Sequence, residues 1–388
     1  MNETAEGFIL SITDTRAQFC VRCVMNDQLD ELISFDGNGL CKHCQRYDEL
    51  LSSRVFEGKE GDEKLSSLVA KIKSAGKGRE YDCIIGVSGG VDSTYVAYLV
   101  KQLGLRPLAI HFDNGWNSEL AVKNIEAVLN KLDIDLYTYV VNWPEFRDLQ
   151  ISFLKASTPD GEIPTDHAIF ALLWREASRR NIKYIISGMN FRSESISVPN
   201  WAYGHSDWRY VKDVHKKYGR VALKTYPHFS LFYLLYVNLI KRIRTISILN
   251  YLYYDKEKAK KFLMDELGWR DYGGKHHESI YTRFYQGVYL PKKFNIDKRY
   301  GHLSDLINAG QLSRKQALDE LQKPTYNEED QAADRLYVIK KLGMIDSEFA
   351  EIEALPAQSF HSFKNSSAMV QRFRNLVNWL RARGLYPK

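Results

Sequence analysis

From Tyr81 onward, short apolar runs alternate with longer stretches in which apolar residues recur every three or four positions. The runs CIIGVS (83–88), LAIHF (108–112), LYTYVV (136–141) and YIISG (184–188) have the length and density of buried strands. The amphipathic stretches between them predict helices over 91–103, 117–131, about 144–156 and 166–180. Strands joined by helix-long crossovers pair in parallel and are covered on both faces, because a tight turn cannot close a parallel pair. Ligands of such sheets gather at the carboxyl ends of the strands. The informative tips are therefore SGGVDS (88–93), DNGW (113–116) and GMNFRSE (188–194).

Around this α/β domain, placed at 81–225, the pattern predicts four further units. A cysteine-bearing module occupies 1–55, a charged connector helix 56–80, a helical insertion for substrate or partner contacts 226–299, and a helical C-terminal region 300–388. The run FSLFYLLYVNLI (229–240) spans 12 residues before Lys241, too few to cross a bilayer. It is read as a buried or partner-facing helix, with membrane-surface attachment through its aromatic and basic residues as the other reading.

Composition adds little to the fold but limits the function. A chain of 388 residues, 44% hydrophobic, supports one large core with appended modules. Its 54 basic and 48 acidic residues are interspersed, and a net charge of +6 suits an anionic small substrate as well as RNA. No basic segment followed by an apolar one opens the chain, so no signal peptide is expected and the location is read as cytoplasmic.

Four of the five cysteines form two CxxC pairs, Cys20 with Cys23 and Cys41 with Cys44. In a reducing compartment this spacing indicates a four-thiolate zinc site, with the DGNG turn at 36–39 reversing the chain between the pairs. Four thiolates complete the tetrahedron, so the zinc is structural. Cys83 is read as a small buried hydrophobe.

The segment GVSGGVDS (86–93) lies between a predicted strand and a predicted helix. Gly89 and Gly90 let backbone approach a phosphate, Gly86 and Val87 lead into that binding loop, Ser88 and Ser93 offer hydroxyls, and the helix from Val91 turns its positive end to the same point. A Walker loop carries a lysine that reaches the transferred phosphate, and this loop has none. SGGVDS resembles the pyrophosphate-binding loop of the N-type ATP pyrophosphatases, the PP-loop superfamily. That resemblance implies ATP, chemistry at the α-phosphate, and a magnesium ion held by Asp92 and by Glu194 beyond Gly188. It also places Asp113 at the adenosine.

The segments DYGGKHHESIYTRFYQ (271–286) and PKKFNIDKRYGHLSDLINAGQLSR (291–314) resemble the N-acetyl sugar amidotransferases of WbpG and PseA type. Members of that family convert the acetamido group of a nucleotide-linked sugar into an acetamidino group for surface polysaccharide. They take ammonia from a partner similar to the HisH and HisF pair. The implied site draws on Lys275 and His276 for catalysis, and on Arg192, His277, Glu278 and Arg283 for the substrate. Asp166 is an N-cap or a ligand, and His167 an acid, a base or a satisfied polar residue. No nucleophile motif for glutamine hydrolysis is present, so ammonia is expected from solution or from a separate glutaminase, docking on the aromatic-rich 229–254. The chain is expected to form an oligomer or act alone, and without nucleic acid. The alternatives are a thiolase-like tRNA-modifying enzyme and a zinc-ribbon interaction protein without catalysis.

Overall fold

The computed structural model describes residues 17–274 and 277–383. Two helices, α1 (Lys42–Arg54) and α2 (Gly58–Ala75), precede the sheet. The strands are β1 (Cys83–Gly86), β2 (Pro107–Asp113), β3 (Asp135–Val140), β4 (Tyr184–Ser187) and β5 (Arg244–Ser247). All pairs are parallel, in the order β3-β2-β1-β4-β5. The crossovers contain α3 (Val91–Gln102), α4 (Glu119–Leu132), α5 (Trp143–Ala156) and α6 (Ile163–Arg179), each within a few residues of its predicted span.

The pleat sends alternate residues of β1 into two cores. Ile84 packs with Ile110, Phe146, Leu149, Leu172 and Ile185 on one face. Cys83 and Ile85 pack with Val96, Val100, Val128, Ile186 and Leu263 on the other. Such residues are almost wholly buried, and truncating one of the leucines to alanine costs about 2–5 kcal/mol. The edge strand β3 reads DLYTYV and keeps polar and half-exposed positions, as an edge must.

One expectation is corrected. The segment 226–299, read as helical, supplies β5, whose Tyr184↔Arg244 to Ser187↔Ser247 register extends the sheet. RTIS is four residues long, carries a charge and lies at an edge, so it has no full apolar run to announce it. Around it lie α7 (Trp208–Tyr218), α8 (Leu231–Leu235), prolonged by a π-turn Tyr236–Ile240, and α9 (Lys256–Leu267).

The C-terminal part is helical: α10 (Ile280–Phe284), α11 (Leu290–Phe294), α12 (Arg299–Asn308), α13 (Arg314–Leu321), α14 (Glu328–Leu342), α15 (Asp346–Ala354) and α16 (Ser367–Ala382). It shares its core with the cysteine module rather than standing apart. Arg314 donates to the carbonyls of Cys23 (3.0 Å) and Cys20 (3.3 Å), Val24 N–H to Ser304 Oγ (3.2 Å), and Trp201 Nε1 to Leu29 O (3.0 Å). No helix among the described residues is long and apolar enough to cross a membrane.

Candidate active site

In the strand order, β2 and β4 flank β1, so the connection reverses direction between β1 and β4. A crevice opens at such a switch point beyond the carboxyl ends. Here it widens into a cleft of about 1440 Å³, larger than the roughly 300–1,000 Å³ of a single-ligand pocket.

SGGVDS forms one wall. Ser88 and Ser93 hydroxyls stand 3.3 Å apart, Gly90 N–H donates to Ser88 Oγ (3.3 Å), and Ser93 Oγ donates to Gly90 O (3.1 Å). Gly89 sits at φ +85°, a conformation costly for any residue with a Cβ. Its carbonyl accepts from Trp269 Nε1 at 2.8 Å, so Gly89 shapes the loop from behind while its neighbours face the cleft. Gly188 lets the tip of β4 touch the first turn of α3: a Cβ there would lie 3.0 Å from Ser93 N.

Asp92 and Glu194 both line the cleft, as does Lys256 at the start of α9. Tyr254 Oη donates to Asp92 Oδ1 at 2.6 Å, and Lys256 Nζ lies 3.3 Å from Oδ2. Burial raises the Tyr254 phenol well above its ordinary range, helped by the charges of Asp92 and then Glu194. Asp92 and Glu194 line the same cleft, and carboxylates are hard oxygen donors of the kind magnesium takes. Lys256 brings a cation to the loop, which carries none of its own, and Lys260 beside it is in an ion pair with Asp271 (2.6 Å).

The far end of the cleft is built from α6 and the C-terminal helices. Lys298 Nζ lies 3.2 Å from Glu162, which also accepts from Gln286 Nε2 (2.7 Å), and Thr165 and Asp166 stand beside them. Asp166 is exposed to the cleft, and the protein around it, with Glu162 and Asp160 nearby, pushes its carboxyl up to about 8. Asp160 is pushed up to about 6, chiefly by burial. Burial opposes the Lys298 charge, but Glu162 and Asp160 hold its ammonium above the usual range. Glu278 reaches back toward the loop, its Oε1 3.1 Å from where a Cβ on Gly90 would sit, and His277 and Tyr326 complete that wall.

Three expected site residues lie elsewhere. His167 is fully buried: its Nδ1 donates to His205 O (2.7 Å), its Nε2 accepts from Phe229 N–H (3.2 Å), and its ring stacks on Phe229 at 4.2 Å. Burial lowers it to about 4, so it stays neutral and serves the core rather than catalysis. Arg192 points away from the cleft, pairing with Glu57 ahead of α2 and lying over the Tyr253 ring. Asp113 accepts from Gly115 N–H (2.8 Å) to close its own turn, while His111, Asn114 and Asn117 line the cleft in its place. Arg283 does reach the cleft, but both arms of its guanidinium are bound to Asp334 at 2.7 Å. Lys275 and His276 lie outside the described residues.

The metal centre follows the spacing. The four Sγ atoms lie within 4.8 Å of one another, fully buried, with Cys20–Cys44 at 3.9 Å and Cys23–Cys41 at 3.7 Å. Ligands about 2.3 Å from a tetrahedral centre are about 3.8 Å apart, so the set fits zinc. Asp36 closes the DGNG turn by accepting from the N–H groups of Asn38 and Leu40, both 2.9 Å. Arg22 N–H and Cys41 N–H point at Cys20 Sγ (3.4 Å each) and Met25 N–H at Cys23 Sγ (3.5 Å), donors that suit thiolates. Asn308 Oδ1 lies 3.2 Å from Cys44 Sγ while its Nδ2 has no partner; with the amide turned over, Nδ2 would donate to the thiolate.

A doubly wound parallel sheet whose first strand runs into SGGVDS at the switch point defines an α/β fold, here with a four-cysteine module and a helical C-terminal region. Residues 278–377 match the family model described as LPS biosynthesis protein WbpG-like, C-terminal domain, which bears out the likeness read from 271–314. The chain is 26% identical over 314 residues to an uncharacterized protein of Methanocaldococcus jannaschii, covering 79% of this chain and 93% of that one. It is 29% identical over 143 residues to a glutamine-hydrolyzing GMP synthase of Pyrobaculum aerophilum, covering 35% of this chain and 26% of the synthase. Among solved structures it is similar to NMN synthetase from Francisella tularensis, with 16% identity, TM-score 0.35, and 70% and 95% of the two chains covered. NH3-dependent NAD synthetase from Campylobacter jejuni is another, at 19% identity and TM-score 0.28, over 52% and 83% of the two chains.

Proposed function

We propose that this chain is an ATP-dependent amidotransferase that converts the acetamido group of a nucleotide-linked N-acetyl sugar into an acetamidino group for surface polysaccharide. The observation that carries this reading is that one cleft joins the SGGVDS loop to the WbpG-like segment. Its walls run from Ser88, Gly90 and Ser93 to Glu278, Lys298 and Tyr326. Its volume leaves room for a nucleotide and a second large ligand.

The chemistry has two halves. The amide oxygen of the sugar attacks the α-phosphorus of ATP and the bond to pyrophosphate breaks. Ammonia then adds to the activated carbon, a proton is lost, and AMP leaves with the former amide oxygen. Ser88, Gly90 and Ser93 cradle the phosphates and Lys256 supplies positive charge to the leaving pyrophosphate. Asp92 and Glu194 would hold magnesium, which when bound neutralises charge on the departing group. Asp166, a carboxyl titrating near 8, is suited to take the proton from attacking ammonia. His277 and Glu278 face the substrate end.

Among the described residues no cysteine lines the cleft, and Cys83 is buried in the β1 core. This weighs against the thiolase reading, which needs a reactive sulfur, and against hydrolysis of glutamine by this chain. On this reading ammonia comes from solution or from a partner glutaminase. The test is incubation with ATP, magnesium and a panel of UDP- and CMP-linked N-acetyl sugars, followed by mass spectrometry. Ammonium salts are expected to give a product about one mass unit lighter, because NH replaces O, and glutamine only with a glutaminase added. Conversion of no sugar in the panel, or thiolation of tRNA instead, overturns the proposal.

A further inference from the structure

α8 and its π-turn form ten residues, 231–240, of which only Val237 is fully buried. Phe232, Leu239 and Ile240 are 80%, 64% and 71% exposed, and Leu235 and Tyr236 are exposed beside them. Large side chains gathered this way on one ridge mark a contact surface.

Cations border the ridge. Lys241, Arg242 and Arg244 follow it directly, with Arg242 and Arg244 exposed. Arg242 sits at φ +53°, a left-handed position that turns the chain into β5. Lys183 Nζ donates to Lys241 O at 2.9 Å. Burial, and then the charges of Arg79, Lys241 and Arg242, hold the Lys183 ammonium below its usual range. Lys183 therefore stands in the field of the other three. Over 231–244 the sequence contains no aspartate or glutamate, while Lys241, Arg242 and Arg244 supply three positive charges.

A protein partner would cover the apolar ridge, but cations beside it with no acidic residue in the same segment call for a surface dense in negative charge. An anionic bilayer answers both. Apolar side chains enter the boundary of the acyl chains while lysine and arginine lie at the phosphates. We propose that residues 231–244, with Arg79 and Lys183, form a docking surface for anionic phospholipid membranes. No residue of 229–244 lines the cleft, so the surface can be altered without touching the site, and the proposal does not depend on the reaction.

The test is sedimentation of the full chain with vesicles of phosphatidylcholine alone and of equal parts phosphatidylcholine and phosphatidylglycerol. The chain is expected to sediment with the mixed vesicles, to be released by salt, and to ignore the neutral ones. Phe232→Glu with Leu239→Glu, and separately Lys241→Glu with Arg242→Glu, are each expected to lower partitioning by on the order of tenfold or more, with melting temperature unchanged. Absence of binding, or equal binding to neutral vesicles, overturns the proposal. So does a dimer, seen by light scattering, that the Phe232 and Leu239 changes dissociate while vesicle binding is absent.

Discussion

Asp166 and His167 are adjacent in sequence and opposite in fate. The first turn of α6 sends Asp166 into the cleft and His167 into a stack of aromatic rings. The TDH triplet alone does not distinguish them, because which residue faces the cleft depends on how α6 is rotated against the sheet. Lys256 is equally silent in sequence, because it meets the loop from far along the chain: nearby Tyr254 lies 162 positions from the Asp92 that both of them touch. The loop residues themselves are legible, because glycines and serines between a strand and a helix carry their own geometry. Asp166 carries a pH prediction. Its folded-state pKa, about 8, lies above the ordinary carboxylate value, so between those limits the folded state binds a proton that the unfolded chain has lost. Its contribution therefore reduces stability as pH rises through that window. Asp166→Asn is expected to flatten the fall in melting temperature from about pH 5 to about pH 9, and to lower amidine formation by about 10²–10⁴-fold. Melting curves and turnover measured on the same samples check both outcomes.

Four strands and their helices can be read from periodicity because each has a continuous apolar run or a clear amphipathic stripe. β5 cannot, since a four-residue edge strand is identified only by the neighbour that pairs with it. The junction of β1 and α3 depends on Gly89. An alanine there would meet Ala121 O at 2.8 Å in a backbone conformation that costs an L-residue about 1–2 kcal/mol. α3 and α4 would have to separate, which moves Ser88 and Gly90 off their hydrogen bonds. Gly89→Ala is expected to weaken ATP binding by about tenfold or more while the circular dichroism spectrum is kept. Calorimetric titration with ATP gives the answer, and an unchanged affinity would mean that phosphate is held elsewhere.

At the scale of the whole molecule, the cysteine spacing predicts a metal module but not where it docks, because no local pattern encodes a contact across the chain. Removal of zinc is expected to disturb far more than residues 17–55, since Arg314, Ser304 and Trp201 all bond to that module. Structural zinc contributes on the order of 10 kcal/mol in small domains, so Cys41→Ser or strong chelation should lower the melting temperature and alter the fluorescence of Trp201. Metal analysis of the purified chain should give one zinc per molecule; iron or no metal would refute this. The same bonds bear on synthesis. Arg314 lies 291 and 294 positions from the cysteines whose carbonyls it binds. At roughly 5–20 residues per second, a ribosome needs on the order of tens of seconds to deliver that partner. The cysteine module therefore leaves the exit tunnel long before its partner, and must wait with its apolar side uncovered until the C-terminal helices emerge.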